Sequence, residues 1–279
     1  MNICFIADYF ADEIPGGGEL NNQEFINIVQ SRSHSIKQIK SINATAEYLE
    51  SLVNHKFIVA NFIQLPKNSI EFLLNKNYVI YEHDHKYLKS RNPATYEKFL
   101  APKEEIINYD FYQNAKAVFC QSTFHAGIVR DNLQLDNIHN LSGNLWAPKT
   151  LDFIQQLSAG NKEDICAVVD SFTEHKNTSG ALRYCVVKGL KYKLIPSLSY
   201  YDFLREMSRC DKFIFFPKTP ETLARVVVEA RMLGLKTINN QLVGATKEQW
   251  FSLKGKNLID YMREKRNSIV DSVLGAIDD

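Results

Sequence analysis

The sequence predicts an α/β chain built as two Rossmann-like, doubly wound parallel-sheet domains. Short apolar runs alternate with longer amphipathic ones almost from end to end, which is the pattern of βα units. The alternation is interrupted once near its middle, and the length of 279 residues suits two cores better than one.

In the first half the strand candidates are Ile3–Ala7, Ile36–Ile39, Phe57–Ala60, Tyr78–Tyr81 and Ala117–Cys120. Between them, apolar residues at helical spacing predict helices over Glu19–Val29, Ala44–Leu52, Ser69–Asn75 and Thr123–Asn132. Leu141–Pro148 breaks the periodicity with turn residues and reads as the connection. A second alternation follows. Strands Ile165–Val169, Tyr192–Ile195, Lys212–Phe216 and Leu235–Asn239 are separated by helices Thr178–Val187, Tyr200–Ser208 and Leu223–Leu233. The expected organisation is a domain over 1–147, a second over 148–255, and a helix in 256–279 that packs back on the first. A ligand is expected where the carboxyl ends of the two sheets face each other across a cleft.

The bulk composition is 45% hydrophobic and 23% charged, with 33 Lys and Arg against 32 Asp and Glu. That balance argues against a global positive field for nucleic acid or an anionic membrane, and against disorder. The five cysteines are odd in number and lack CxxC spacing, so they read as buried free thiols of a reducing compartment. No apolar stretch approaches the ~20 residues of a membrane span. With no basic leader at Met1–Ala7, a cytoplasmic protein is expected.

The most informative segment is Phe215–Gly234, where an apolar strand meets Pro217, a turn follows, and a helix is predicted from near Glu221 to Gly234. Along such a helix Glu221 and Glu229 differ by about 12 Å in height, a separation suited to the two hydroxyl-bearing ends of a sugar nucleotide. The backbone N–H groups of Thr222, Leu223, Ala224 and Arg225 would then face a diphosphate at the positive end of the helix dipole. Otherwise Glu221 complements that dipole and Glu229 is a solvated helix residue.

The setting FP-x3-E-x7-EA-x3-G resembles the donor signature of retaining GT-B glycosyltransferases of the GT4-like family (glycosyl transferases group 1). The resemblance implies that Glu221 contacts donor-sugar hydroxyls and Glu229 the ribose. Where the family usually has glycine, this chain has Ala224. Pro15-Gly16-Gly17-Gly18-Glu19 is similar to the family's GG-x-E loop, with Gly17 and Gly18 on the donor and Glu19 on the acceptor side; taken alone, these residues read as a plain turn. Tyr81–His85 (YEHDH) resembles its HD segment, which makes His83 the candidate catalytic group beside Glu221 and puts Asp84 on the acceptor side. A metal site through His83, Asp84 and His85, or a histidine satisfied in the core, are the competing readings. Ala115–Ser122 resembles another strand of the same domain.

In the second half, Val168–Lys176 (VVDSFTEHK) resembles the segment that supplies an Arg and a Lys to the diphosphate. Lys176 matches the lysine, while Asp170 or Ser171 stands where the arginine belongs. Arg225 or another lysine is left to compensate. Leu198, in LIPSLS, occupies the loop that packs on the base.

The function implied is retaining transfer of a hexosyl or pentosyl group from a nucleotide sugar, a UDP- or GDP-sugar, to a hydroxyl acceptor. No DxD sequence is present, so the resemblance implies no metal and no further cofactor. The acceptor is read as a saccharide or small molecule. Lys86–Lys103 carries five basic residues, Arg91 among them, interleaved with Tyr87, Tyr96 and Phe99. That segment keeps open a phosphorylated or polyanionic acceptor, DNA included, beside an exposed stretch of ordinary charges. A sugar-nucleotide epimerase and a degenerate GT-B subunit that binds nucleotide or protein without turnover are the rival classes.

Overall fold

The computed structural model describes residues 1–278, and its contacts divide the chain into two compact units. The first comprises Met1–Leu145 and Lys265–Asp279, and the second Trp146–Glu264.

In the first unit the strands are β1 (Asn2–Ala7), β2 (Ser35–Lys40), β3 (His55–Val59), β4 (Tyr78–Tyr81), β5 (Val118–Cys120) and β6 (Ile138–Asn140). They form one all-parallel sheet in the order β2-β1-β3-β4-β5-β6. β1 beyond Asn2 and the whole of β4 are buried, the near-continuous apolar reading of strands covered on both faces. The crossover helices are α1 (Gly17–Ser31), α2 (Ala46–Ser51), α3 (Lys67–Leu73), α4 (Tyr109–Gln113) and α5 (Thr123–Leu133). The strand order reverses between β1 and β3, so ligand chemistry is expected outside their carboxyl ends.

The second unit is built the same way. Its strands β7 (Glu163–Val169), β8 (Tyr192–Ile195), β9 (Cys210–Phe215) and β10 (Lys236–Asn239) pair in parallel in the order β10-β9-β7-β8. Here the switch point lies between β7 and β9. Helices α6 (Pro148–Ser158), α7 (Thr178–Val187), α8 (Tyr200–Ser208) and α9 (Arg225–Met232) pack around it. The last helix, α10 (Gly255–Asp278), contributes Leu258, Ile259 and Met262 to the second core. Further along, Ile269, Val270, Val273, Leu274 and Ile277 join Ile3, Phe5 and Phe25 in the first. Full burial of such a side chain stabilises by about 1.5–3 kcal/mol, so this stretch is a structural layer of the first unit. Arg266 reinforces it by pairing with Glu24.

Three of these elements lie outside the sequence expectation, one of them the five-residue α4. β6 has only three residues, two of them exposed, too short for a periodic signal. α6 starts at Pro148 as its first residue and buries Thr150, Leu151 and Ile154; the proline that reads as a linker residue is an N1 proline. The helix expected from near Glu221 is a correction, because α9 begins only at Arg225. Before it the chain is bent rather than helical, with Glu221 bridging to Val243, and Ala224 caps the helix at φ +66. The resulting bend removes the along-helix spacing of Glu221 and Glu229.

At the carboxyl end of β4 the first unit buries a polar network. Lys86, 2% exposed, pairs with Glu82 and, at 3.0 Å, with Asp84; the Tyr112 hydroxyl donates to Glu82. His125 accepts the Gln121 amide at Nδ1 (3.3 Å) and donates from Nε2 to the Asp84 carbonyl (3.0 Å), which fixes the neutral tautomer. Burial depresses His125 well below the usual histidine range and His85 to about 4.

The buried histidines and the left-handed Ala224 each have a measurable consequence. The first concerns pH: unfolded, both histidines take up protons near pH 6.5, but folded they resist until well below it. The first unit therefore loses stability as pH falls below about 6.5, by at most about 1.4 kcal/mol per pH unit for each histidine. Glu82, whose carboxyl is raised by burial, works in the opposite sense and trims the slope. Urea midpoints from pH 7 to 4.5 measure it, and His125→Gln should flatten it. The second concerns Ala224: left-handed strain of about 1–2 kcal/mol offsets the lost methyl and added chain entropy, so Ala224→Gly should change stability by less than about 0.5 kcal/mol. Ala230→Gly, fully buried within α9, should cost about 1.5 kcal/mol or more.

Candidate active site

The second unit concentrates its functional groups at the β7/β9 switch point. The loop after β7 (170–177) and the segment after β9 (216–224) are stitched together by backbone and side-chain bonds. The Lys218 amide donates to the His175 carbonyl at 2.8 Å, and Asn177 Nδ2 donates to the Phe216 carbonyl at 2.8 Å. Lys218 pairs with Glu174 at 2.9 Å. On this platform Lys176 Nζ lies 2.7 Å from Glu221 Oε1 and 5.6 Å over the Phe215 ring. Lys176 belongs to a single turn, Glu174–Lys176, not to the start of a helix. Glu221 is held by main chain on both sides, its N–H donating to Leu242 and its carbonyl accepting from Gly244.

Thr222, Leu223 and Ala224 form the bend into α9. The Leu223 side chain is buried, and its carbonyl accepts the Ala245 amide at 3.0 Å. Of the four residues expected at a helix amino terminus, Arg225 alone is helical.

Glu229 is 3% exposed, which corrects the alternative of a solvated helix residue. Its Oε1 accepts from Trp146 Nε1 at 2.9 Å, Tyr200 Oη at 2.5 Å and Arg225 Nε at 3.0 Å. The Arg225 guanidinium also stacks 4.3 Å over the Trp146 ring. Three charge-assisted donors offset the desolvation of a buried carboxylate. Trp146 and Tyr200 carried no sequence signal, because they reach Glu229 from α8 and from just before α6. The Asp170 amide donates to the Ile195 carbonyl, and Ser171 is bound through Thr178. Leu198 is 42% exposed in the loop between β8 and α8, and Phe172 is fully exposed after β7.

The first unit gathers a second group at the carboxyl ends of β1 and β4. α1 opens at Gly17. Glu19, half-buried, folds its carboxylate over Gly16, where an added Cβ would sit 2.3 Å from Oε2; burial raises this carboxyl. The α1 backbone at Gly18 lies against His83, with room for a Cβ only at 3.5 Å from the ring. His83 is gripped at both nitrogens: Gln121 Nε2 donates to Nδ1, and Nε2 donates to Asn22 Oδ1 at 2.6 Å. Burial and the nearby Lys86 charge push its pKa down to about 3. His83 is therefore a neutral hydrogen-bonding group with little capacity as a base.

Asp84 turns to Lys86 and Arg91, the latter at 3.5 Å, and burial opposed by Lys86 leaves its carboxyl below the usual range. His85 points to the Tyr87 hydroxyl at 3.2 Å. The three side chains of the metal reading thus diverge, and among the described residues no group of three or more His, Cys, Asp and Glu is placed to hold a metal ion. The segment 86–103 is likewise no uniform basic strip, since Lys86 and Tyr87 are buried. Among the described residues no helix is long and apolar enough to cross a membrane, and all five cysteines are buried free thiols.

No protein-family model and no curated protein matches the chain. Solved structures do. The chain is similar to HepE (Alr3699) of Anabaena, solved with UDP and glucose, at 12% identity over 99% of this chain and 94% of that one, with a TM-score of 0.54. It is similar to an alpha-glucosyltransferase solved with UDP and a 13-mer DNA containing a HMU base, at 11% identity over the whole of both chains and a TM-score of 0.52. An alpha,alpha-trehalose-phosphate synthase (UDP-forming) from Burkholderia vietnamiensis matches at 9% identity over 84% of this chain and 73% of that one, again at 0.52. With the two parallel sheets described above, these likenesses give the chain the GT-B fold of two Rossmann-like α/β domains.

Proposed function

We propose that the chain is a nucleotide-sugar-dependent glycosyltransferase of the retaining, GT4-like kind, with its donor site in the second unit. The observation that carries this reading is the meeting of Lys176 and Glu221, 45 residues apart in sequence, at the β7/β9 switch point. One is the residue type that neutralises a diphosphate, the other the type that grips sugar hydroxyls. The solved neighbours bind UDP or UDP-glucose, which favours a UDP-sugar over a GDP-sugar.

In this reading Lys176 and the backbone of the Thr222–Arg225 bend hold the diphosphate. Glu221 orients the sugar ring, Glu229 faces the ribose, and the exposed Leu198 lies along the base. Gly17 and Gly18 allow a ligand of the first unit to come close to the α1 backbone. Transfer breaks the bond from the anomeric carbon to the diphosphate oxygen and forms one to the acceptor oxygen on the same face. The acceptor proton passes to the departing diphosphate. His83 orients the acceptor and takes no proton, because Gln121 engages its Nδ1 lone pair. Glu19, Asp84 and Arg91 lie on the acceptor side.

A nucleotide-binding subunit without turnover is the second reading. It is favoured by the absent arginine at Asp170–Ser171 and by Arg225 being committed to Glu229 and Trp146.

Calorimetric titration of UDP, GDP and ADP should reveal one preferred series, with UDP bound about tenfold more weakly by Lys176→Ala. Glu221→Gln should leave UDP binding within about threefold yet lower sugar release or transfer about a hundredfold. Proton NMR of the first product formed should show the donor's anomeric configuration. Binding without sugar release moves the assignment to the subunit, and no binding across the series removes the donor site altogether.

A further inference from the structure

The first unit is acidic overall, with 15 Lys and Arg against 19 Asp and Glu. Yet four of those cations, Lys67, Lys86, Lys89 and Arg91, line one pocket of about 450 Å³ whose walls contain no acidic residue. The pocket opens at the carboxyl ends of β3 and β4, next to the segment that carries His83.

The four cations differ in how far they are already used. Lys86 forms the floor, 2% exposed and bound to Glu82 and Asp84, with Phe62 beneath it at 5.6 Å. Lys89 and Arg91 are exposed and only loosely paired, at 3.7 Å to Glu105 and 3.5 Å to Asp84. Lys67 is exposed and has no ion pair among the described residues. Apolar Ile63, 56% exposed, and the half-buried Ile70 and Ile107 complete the wall. Cations concentrated against apolar surface in an otherwise acidic unit attract a compact anion with an organic body and hold off an extended polyanion, which would meet net negative charge beyond the rim.

We propose that this pocket binds a phosphomonoester carried on a small organic body, and that the acceptor of the transferase reading above, on which this last assignment rests, is such a phosphorylated molecule. Lys67, Lys89 and Arg91 engage the phosphate, and Ile63, Ile70 and Ile107 take the body. The Asp84–Arg91 pair links the anion site to the residue following His83.

The test titrates the full chain with phenyl phosphate, with benzyl alcohol as an uncharged counterpart, and with a 12-nucleotide single strand. The variant Lys67→Gln/Arg91→Asn removes two exposed charges, and asparagine is chosen because Arg91 sits at φ +52, which Asn tolerates. Phenyl phosphate should bind while benzyl alcohol does not. Its affinity should fall with added salt and by more than about thirtyfold in the double variant. UDP binding by the same variant should stay unchanged, which reports an intact fold. Absence of phenyl phosphate binding, or equal binding by the double variant, overturns the proposal. So does tight oligonucleotide binding that the double variant retains. If phenyl phosphate binds as expected but UDP does not bind the wild type, the anion site stands and its role as an acceptor site falls with the transferase reading.

Discussion

A parallel sheet forces every connection to leave at a carboxyl end and return to an amino end, so the loops free to carry chemistry collect along one edge. In both units that edge is split where the strand order reverses, at β1/β3 and at β7/β9. The helices on either side of a reversal lie on opposite faces of the sheet and leave a crevice between their first turns. Lys176 and Glu221 come from the two strands flanking one such point, and Asp8 and Phe62 follow the two strands flanking the other. The rest of each unit is a frame that holds these edges still.

Within that frame, ionisable groups are buried at a cost that only dense hydrogen bonding offsets. Glu229 illustrates the solution, with three donors converging on one carboxylate oxygen. The consequence is that Trp146, Tyr200 and Arg225 are fixed relative to one another by a single anion. On the other unit, Glu82, Asp84 and Lys86 do the same for the turn after β4 and set the electrostatic background in which His83 stays neutral.

The alternation of apolar and amphipathic runs made the doubly wound class readable, because fully covered parallel strands are written as unbroken apolar runs. The pairing of Lys176 with Glu221 was readable only as two separate residues. The bend at Ala224 was not, since an alanine at positive φ leaves no trace in periodicity; continuing the helical pattern back to Glu221 was the natural error. Gln121, Asn22, Trp146 and Tyr200 were invisible for a different reason. Each is an ordinary residue whose meaning comes from a partner 29 or more positions away, and spacing carries no record of such contacts.

The division of α10 between the two cores bears on how the chain is made. The second unit is one continuous stretch, Trp146–Glu264, whereas the first is closed by residues 269–277. During vectorial synthesis, therefore, the segment made first waits longest for its final layer. Its sheet must persist with one hydrophobic face covered by α1 but not yet by α10 while the later-made unit completes its own core. That interval is a window in which exposed apolar surface invites chaperone capture or aggregation.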